Sequence, residues 1–306
     1  MALAADERAV AAAGSPPPPR TIRRHWTRLI LPTYSALVMV YLVLPILIVV
    51  LYGFNRSNGA KVVFKWQGLS TAAYTQILDI PDLTTALKNS LVVAFVSTLI
   101  ATVLGTLIAL SLVRYQFRGK QVSDFVMFAN IAAPEIVLGA ALLSFFVSAG
   151  VPRGLGTIII SHVMFNIAYV AITVRARLSG FDLSVEEAAR DLGAHPWTTF
   201  RLVTLPIIFP GILAGGLLAF ALSIDDFVIT SFNAGSVTTF PLWVYGASRV
   251  GIPPQVFAIA TLIFTAGALL AGLNIILGGR KRRREMRPVE PIGATIGAAG
   301  RVAASS

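Results

Sequence analysis

The sequence contains no cysteine and only three histidines among its 306 residues. Without thiols the chain cannot form disulfides or bind a metal through thiolates. Its cysteine content therefore gives no information about the redox compartment. The histidines are isolated from one another, whereas a protein metal site needs several ligands at a recurrent spacing. The sequence therefore predicts neither a metal site nor a disulfide-stabilised fold.

Charged residues are also scarce, at 13% of the chain, whereas 56% of residues are hydrophobic and the mean hydropathy is +0.76. This composition indicates a membrane protein. The few charges are unbalanced, with 25 basic and 14 acidic side chains. Such an excess in a soluble domain would suggest nucleic acid as a partner. Here the basic residues lie between and beyond the apolar runs. We therefore predict no nucleic-acid partner, and we expect the basic residues to orient the protein in its membrane.

Six apolar runs are long enough to cross a bilayer and predict an all-α membrane protein with six transmembrane helices. A disordered basic cytoplasmic tail is predicted at 1–28, followed at 29–85 by the first span and a polar external segment. The other five spans form a domain over 86–277, and a second basic cytoplasmic tail is predicted at 278–306. The predicted spans are 30–52, 86–113, 125–149, 157–174, 207–228 and 256–277.

Lysine and arginine fall mainly on one side of this predicted topology. With the N-terminus in the cytoplasm, 19 of them lie in cytoplasmic segments and 6 in external segments. Cytoplasmic loops of membrane proteins carry such an excess of basic residues. We therefore expect both termini, and the loop after the fourth span, in the cytoplasm.

One polar segment, residues 184–206, interrupts the apolar sequence between the fourth and fifth predicted spans. Ser184 and Glu187 have the spacing of a capping box, which predicts a helix beginning at Val185. An apolar stripe with two small residues at its centre follows at helical spacing, which lets another surface approach the backbone closely. The stripe consists of Val185, Ala188, Ala189 and Leu192.

The same segment contains a predicted elbow. Gly193 is expected to end the first helix with a positive φ. Pro196, which has no N–H to lose, suits the first position of a second helix. That helix carries Trp197, Phe200 and Val203 on one side and is expected to end at Leu205-Pro206.

This segment resembles the EAA signature of permease subunits in ATP-binding-cassette importers: EAA, three residues, G, nine residues, I, one residue, LP. Glu187-Ala188-Ala189, Gly193 and Val203-Thr204-Leu205-Pro206 follow that spacing, with valine for the usual isoleucine. The resemblance implies a type I importer permease of the MetI-like class, whose cytoplasmic coupling loop docks into a groove on a separate ATPase. Together with the apolar stripe, it predicts the ATPase-coupling residues Val185, Glu187, Ala188, Ala189, Leu192 and Gly193.

Further segments extend the resemblance to residues 30–277, and they are similar to the second permease of spermidine/putrescine importers. These segments are 133–139, 222–232, 239–242 and 249–254. The resemblance implies a heterodimer with a homologous permease, two ATPase subunits and an extracytoplasmic solute-binding protein, in the lipid of the bacterial inner membrane. The chain has no GxxxxGK[ST] loop, so we expect no cofactor in it, with ATP and Mg²⁺ used by the partner ATPase.

Three carboxylates at or within the predicted spans are candidates for the substrate pathway: Glu135, Asp225 and Asp226. A charge at the bilayer centre costs about 2.5–3.5 kcal/mol on insertion scales, so such acids normally face a partner or a watery path. With neighbouring aromatic rings, they suit a polyamine through charge and cation–π contacts. The candidate rings are Phe227, Trp243 and Tyr245. The structural alternative is that each acid caps a helix or pairs with a basic residue of the partner permease.

Other polar and small residues within the spans are expected to serve helix packing. Interhelical hydrogen bonds are predicted for Asn130, His162, Asn166 and Asn274. Close helix contacts are predicted at Gly211, Gly215 and Gly216.

Other classes of protein stay open. A secondary transporter or channel would also span the membrane repeatedly, but it needs no EAA loop, and no pair of broken helices in matching halves is apparent. An intramembrane enzyme would need a catalytic constellation, and neither the adjacent aspartates nor any Ser/His pairing provides one. Within the importer class, the alternatives to polyamines are amino acids, sulfate, iron and thiamine.

Overall fold

The fold is given by a computed structural model that describes residues 25–56, 66–182 and 184–285. In these ranges every regular element is a helix, apart from one isolated antiparallel bridge between Asn55 and Leu69. The chain divides after Leu51 into two units. The predicted all-α class is confirmed for this part of the chain.

The helices are numbered along the chain. The first unit contains most of α1, His25–Gly53. The second contains α2 Ala72–Thr75, α3 Pro81–Arg114, α4 Lys120–Ala132, α5 Glu135–Ser148, α6 Leu155–Leu178, α7 Ser184–Asp191, α8 Pro196–Thr199, α9 Leu205–Asp225, α10 Val228–Asn233, α11 Phe240–Ser248 and α12 Pro254–Glu285. A π-helical turn, Phe200–Thr204, joins α8 to α9.

Two predicted tail boundaries differ from the observed ends of the helices next to them. α1 begins at His25, within the predicted tail 1–28, and α12 continues past residue 277 to Glu285. The remainder of both predicted tails, residues 1–24 and 286–306, lies outside the described residues.

Four helical segments of the described chain are long and apolar enough to cross a membrane: Ile30–Gly53, Pro81–Arg114, Leu155–Leu178 and Pro196–Asp225. Helices α4 and α5 together make a fifth candidate, and the apolar part of α12, Pro254–Leu269, is shorter. The multi-pass architecture follows from these helices. They do not by themselves give the six predicted spans.

The core of the second unit is the packing of α3, α6 and α9 against one another. Its buried side chains are mostly small or β-branched, which brings the helix axes close together. They include Ala109, Ala168, Val170, Ala171, Val174 and Ile208. In a bilayer, where lipid is as apolar as leucine, such close packing is a main source of helix association.

Glycines set the closest approaches in this core. A β-carbon added to Gly211 would lie 2.7 Å from the Arg177 β-carbon, and one added to Gly216 would lie 3.1 Å from the Thr102 hydroxyl. Gly215 would bring its β-carbon to 3.3 Å from the α-carbon of Val170. The predicted role of these three glycines in close helix packing is confirmed.

The predicted third span, 125–149, is not one helix. α4 ends at Ala132 and α5 begins at Glu135, with their axes bent by 109°. Pro134 lies between them and has no N–H, and it holds the preceding Ala133 in an extended conformation with ψ 133°. Glu135 thereby occupies the first turn of α5, where the helix dipole favours a negative charge.

The second helix of the polar segment does not end at Leu205-Pro206, as the sequence suggested. It continues without interruption from Pro196 to Asp225. Pro206 lacks the N–H that an α-helix would bond to the carbonyl of Leu202. The π-helical turn provides a wider turn before it, in which the Leu205 N–H donates to the Phe200 carbonyl. The polar segment is therefore built directly onto the fifth predicted span.

Candidate functional site

α7 begins at Ser184, one residue before the predicted start, and Asp182 caps it. The Ser184 N–H donates to Asp182 Oδ1 at 3.0 Å. Hydrogen bonds from the backbone and the hydroxyl of Ser184 lower the pKa of the Asp182 carboxyl. A carboxylate at this position satisfies a free N–H and interacts favourably with the helix dipole. Asp182 thus takes the place that the predicted capping box gave to Ser184 and Glu187.

The predicted apolar stripe of α7 faces outward. Val185 is 45% exposed and Leu192 is 91% exposed. Ala188 is exposed, as is the neighbouring Glu187, and Ala189 is half-buried. An exposed apolar surface rimmed by charged residues is typical of a protein interaction site.

The side chain that α7 buries is Glu186, which is 6% exposed. Its Oε1 accepts a hydrogen bond from the Thr204 hydroxyl at 2.5 Å and forms an ion pair with Arg114. Its Oε2 lies 3.9 Å from Nη2 of Arg190, one turn along α7. A buried carboxylate is costly unless it is paired and hydrogen-bonded, and this one is both. We refer to Arg114, Glu186, Arg190 and Thr204 as the Glu186 cluster.

Gly193 ends α7 with φ +83°, which confirms the predicted positive φ. Its N–H donates to the Arg190 carbonyl at 2.8 Å. An added β-carbon would meet nothing within 4 Å, so glycine is required here by the backbone conformation and not by space. Pro196 then begins α8, as predicted, and the preceding His195 accepts the Trp197 N–H through Nδ1 at 3.3 Å.

Asp226 lies at the junction of α9 and α10 with its side chain 5% exposed. Its Oδ2 accepts from the Thr230 N–H at 2.8 Å and from the Thr230 hydroxyl at 2.7 Å, and its Oδ1 accepts from the Ile229 N–H at 3.3 Å. His162 Nε2 of α6 lies 3.2 Å from Oδ2. Asp226 therefore caps α10 and joins it to α6.

The structure also brings together a serine, a histidine and an aspartate, which the sequence gave no sign of. His162 Nδ1 lies 2.6 Å from the Ser223 hydroxyl, and His162 Nε2 contacts Asp226. All three side chains are buried, and the Ser223 hydroxyl is also 3.0 Å from that of Ser97 on α3. A nucleophile must reach its substrate, whereas this serine is enclosed among helices. The arrangement is an interhelical hydrogen-bond network, as predicted for His162.

Asp225 has a different environment from its neighbour, since it is exposed and lines a cavity of about 700 Å³. Phe227 and Tyr245 line the same cavity, with their ring centroids 4.7 Å apart. The Tyr245 ring already contacts a cation, because the Arg249 guanidinium carbon lies 4.9 Å from its centroid. Arg249 also donates to the Tyr245 hydroxyl at 2.6 Å. A carboxylate and two rings at one cavity are the groups that bind an alkylammonium ion.

The other two predicted pathway residues lie elsewhere. Trp243 packs with Leu83 and Val256 and lines a second cavity of about 490 Å³. It is two residues from Tyr245, and residues two apart on a helix do not face the same way. Glu135 is exposed at the start of α5 and does not line the cavity of Asp225. The structure thus brings Asp225 and Tyr245 together but separates them from Trp243 and Glu135.

Residues 101–283 match the family described as the binding-protein-dependent transport system inner membrane component. The chain belongs to this family. It is 40% identical over 258 residues to the putrescine transport system permease protein PotI of Escherichia coli (strain K12), covering 82% of this chain and 91% of the relative. It is 36% identical over 244 residues to the spermidine/putrescine transport system permease protein PotC of the same strain, covering 79% and 91%.

Solved structures agree with this assignment at the level of fold. The permease matches a chain of a bacterial ABC transporter involved in the import of the acidic polysaccharide alginate, with a TM-score of 0.60. The match is 16% identical and covers 84% of this chain and 96% of that chain. The permease is therefore a multi-pass component of a membrane transport system, not an enzyme, and its family description implies a solute-binding protein as partner.

Among the predicted interhelical bonds of the permease, two are present. Besides His162, Asn130 Nδ2 of α4 donates to the Met164 carbonyl of α6 at 2.8 Å. The prediction for Asn166 is wrong, because its buried amide has no hydrogen-bond partner among the described residues. The Asn274 side chain lies outside the described part.

Glu186 and Ser223 are the two central residues that the sequence did not single out. The sequence contained one usable signal for Glu186. Glu186 and Glu187 are adjacent in a helix and therefore point about 100° apart, so only one of them can lie on the exposed face. Which of them is buried depends on Arg114, 72 residues earlier. Partners at that separation are set by helix packing and leave no local pattern.

Proposed function

We propose that this permease forms part of the membrane pathway for polyamine uptake by an ATP-driven importer. The relatives PotI and PotC are named for putrescine and spermidine transport, and the similarity to them extends over most of the chain. The observation that carries the proposal is the cavity that the Asp225 carboxylate and the Phe227–Tyr245 ring pair line together. A carboxylate supplies a charge-assisted hydrogen bond, and the ring faces attract a cation.

The surroundings of Tyr245 support a cationic solute. The ring contacts the guanidinium of Arg249, the residue that follows the end of α11. A polyamine with two or more ammonium groups has the charge to bind at Asp225 and to compete for this ring. A sulfate ion would instead meet a carboxylate, which opposes its binding.

In the proposed assembly, α7 docks on a cytoplasmic ATPase through Val185, Ala188 and Leu192, with Glu187 beside them, Ala189 at the edge and Gly193 directing the chain away. The exposure of this stripe supports the assignment. The small side chain of Ala188 permits close approach of a partner backbone. Two ATPase subunits would bind ATP and Mg²⁺, and a homologous permease would complete a heterodimer surrounded by lipid.

The proposed topology has six spans, both termini in the cytoplasm and α7 on the cytoplasmic side. The four long apolar segments, the bent pair α4–α5 and the apolar part of α12 supply the six. The excess of basic residues in cytoplasmic segments, 19 against 6, supports the orientation.

The experiment is uptake of radiolabelled putrescine and spermidine by a bacterial strain that lacks polyamine importers and expresses this permease with the products of its neighbouring genes. We expect saturable, ATP-dependent uptake that unlabelled polyamine abolishes and sulfate or an amino acid does not. An otherwise identical strain without this permease is the control. Absence of polyamine uptake, with uptake of an amino acid, sulfate, iron or thiamine by the same cells, would overturn the proposal.

A further inference from the structure

The Glu186 cluster joins three segments that are distant in sequence. Arg114 is the last residue of α3, Glu186 lies in α7, and Thr204 is the last residue of the π-helical turn before α9. The cluster is closed, because Arg114 Nη2 donates to the Thr204 hydroxyl at 3.2 Å and both groups bond to Glu186 Oε1. One carboxylate oxygen therefore connects the short polar helix to the ends of two apolar helices.

Stability alone does not account for a charge at this position. Replacing a buried ion pair by well-packed apolar residues of similar volume is often neutral or stabilising, so a buried ion pair is weak evidence for a role in stability. Hydrogen bonds to a charged group add direction, because they fix the relative position and angle of the groups that they connect. The carboxylate of Glu186 fixes α7 against two helices at once.

The opposite face of α7 is exposed, as the stripe of Val185 and Leu192 shows. α7 therefore has one face open to a partner and one face bonded to the membrane helices. We propose that Glu186 is the positioning residue that transmits movement of α7 to α3 and α9. The proposal rests on the proposed function, in which an ATPase binds the exposed face. A movement imposed on that face is passed on through Arg114 and Thr204.

The test is Glu186→Gln in the complete importer, purified and reconstituted with its ATPase and binding protein. Glutamine keeps the shape of the side chain and removes its charge. We expect the ATPase to co-purify normally, with uptake reduced at least tenfold and with fewer solute molecules transported per ATP hydrolysed. Thr204→Val, which removes only the hydroxyl, should shift this ratio in the same direction by a smaller factor.

The matched control is Asp191→Asn, which neutralises an exposed carboxylate at the other end of α7. It should leave the ratio of transport to hydrolysis unchanged. A normal ratio in Glu186→Gln would overturn the proposal. The same holds if Glu186→Gln and Thr204→Val lower only the amount of folded complex while each remaining complex has the normal ratio, since the cluster is then merely structural.

Ala188→Asp separates this proposal from the docking proposal on which it rests. The aspartate introduces a charge into the exposed stripe and should abolish co-purification of the ATPase. If Ala188→Asp retains the ATPase and normal uptake, the docking assignment of α7 fails, whatever Glu186→Gln does. If Ala188→Asp loses the ATPase while Glu186→Gln is fully coupled, docking stands and only the role of Glu186 is refuted.

Discussion

Asp225 and Asp226 are adjacent, yet their side chains have opposite environments. Asp225 lies at an open cavity beside two aromatic rings, whereas Asp226 is enclosed by the first turn of α10 and by His162. The difference arises because α9 ends at Asp225 and the next residue adopts an extended conformation with ψ 121°. The two side chains are consequently expected to respond differently to the same substitution.

Asp225→Asn should weaken polyamine transport without affecting assembly. The amide is nearly isosteric but loses a charge-assisted contact of about 1.5–3 kcal/mol, which corresponds to a roughly ten- to a hundredfold lower apparent affinity. The measurement is the initial uptake rate as a function of polyamine concentration, normalised to folded transporter.

Asp226→Asn is the matched control for that prediction, since it removes the same charge one residue away. It should lower the melting temperature of the purified permease, because the amide is a poorer acceptor for the α10 N–H groups at a cost of about 1–3 kcal/mol. Its remaining folded fraction should keep its apparent affinity. The reverse pattern would contradict the assignment: a weakened apparent affinity in Asp226→Asn and an unchanged apparent affinity in Asp225→Asn.

The sequence identified both aspartates as candidates but could not tell them apart. Their residue type and their place at the end of an apolar run predict a costly charge that needs a partner or water. Which of the two obtains a partner is decided by the position of His162, 64 residues before Asp226. The same holds for Trp243 and Tyr245, which point in different directions from α11: Trp243 packs with Leu83 of α3, whereas Tyr245 lines the cavity of Asp225.

Among the elements, the elbow after α7 was predicted most closely. A glycine after a short amphipathic helix, followed by a proline two residues beyond Ala194, predicts a left-handed residue and then a new helix start, and both are present. The burial of α7 was predicted less well, because the sequence did not identify Glu186 as the side chain that this helix buries. The exposure of the apolar stripe is compatible with its predicted role as a contact surface, which stays a prediction.

Gly193→Val tests whether the shape of this elbow matters. A β-branched residue at φ +83° is strained by about 1–2 kcal/mol, even though nothing lies within 4 Å of the added β-carbon. We expect the ATPase to bind normally and hydrolysis to become uncoupled from uptake. Gly180→Val, at a turn outside the positive-φ region, is the control and should transport normally. Equal behaviour of the two variants would refute the prediction that the left-handed conformation at Gly193 is needed for coupling.

The break between α4 and α5 shows a different limit. Pro134 and Glu135 marked an interruption in the predicted third span, but a proline is compatible with a continuous helix that is merely kinked. The observed bend of 109° is set by how each half packs, since α4 packs on α6 while α5 packs on α10.

For the whole molecule, apolar composition and length predicted the all-α multi-pass class, which is confirmed, while the six spans and their orientation stay predictions. The packing of α3, α6 and α9 was only partly foreseen. The glycines of α9 were identified as contact points. Gly105 of α3 was not, although an added β-carbon there would lie 2.8 Å from the Val170 β-carbon and 2.9 Å from the Ile167 carbonyl oxygen. A single glycine in a long apolar run carries no sign of what it faces.

Gly105→Ala should therefore destabilise the assembled fold. The methyl group meets backbone as well as side chain, and such overpacking typically costs about 1–3 kcal/mol. The measurement is the melting temperature and the yield of monodisperse permease in detergent. Gly267→Ala in α12, where nothing lies within 4 Å of the added β-carbon, is the matched control and should not lower either. An equal effect of both substitutions would contradict the packing described for α3 and α6.

The unbroken helix from Pro196 to Asp225 has a mechanical consequence. It contains 30 residues, and at about 1.5 Å per residue it is about 45 Å long. Trp197 lies near one end, beside the elbow, and Asp225 lies at the other, on the wall of the cavity. If the helix pivots near Trp197 as a stiff lever, a tilt of about 10° sweeps the far end through about 8 Å. If an ATPase docks on α7 as proposed, a small rotation at that end of the helix is thereby amplified into a larger displacement of Asp225.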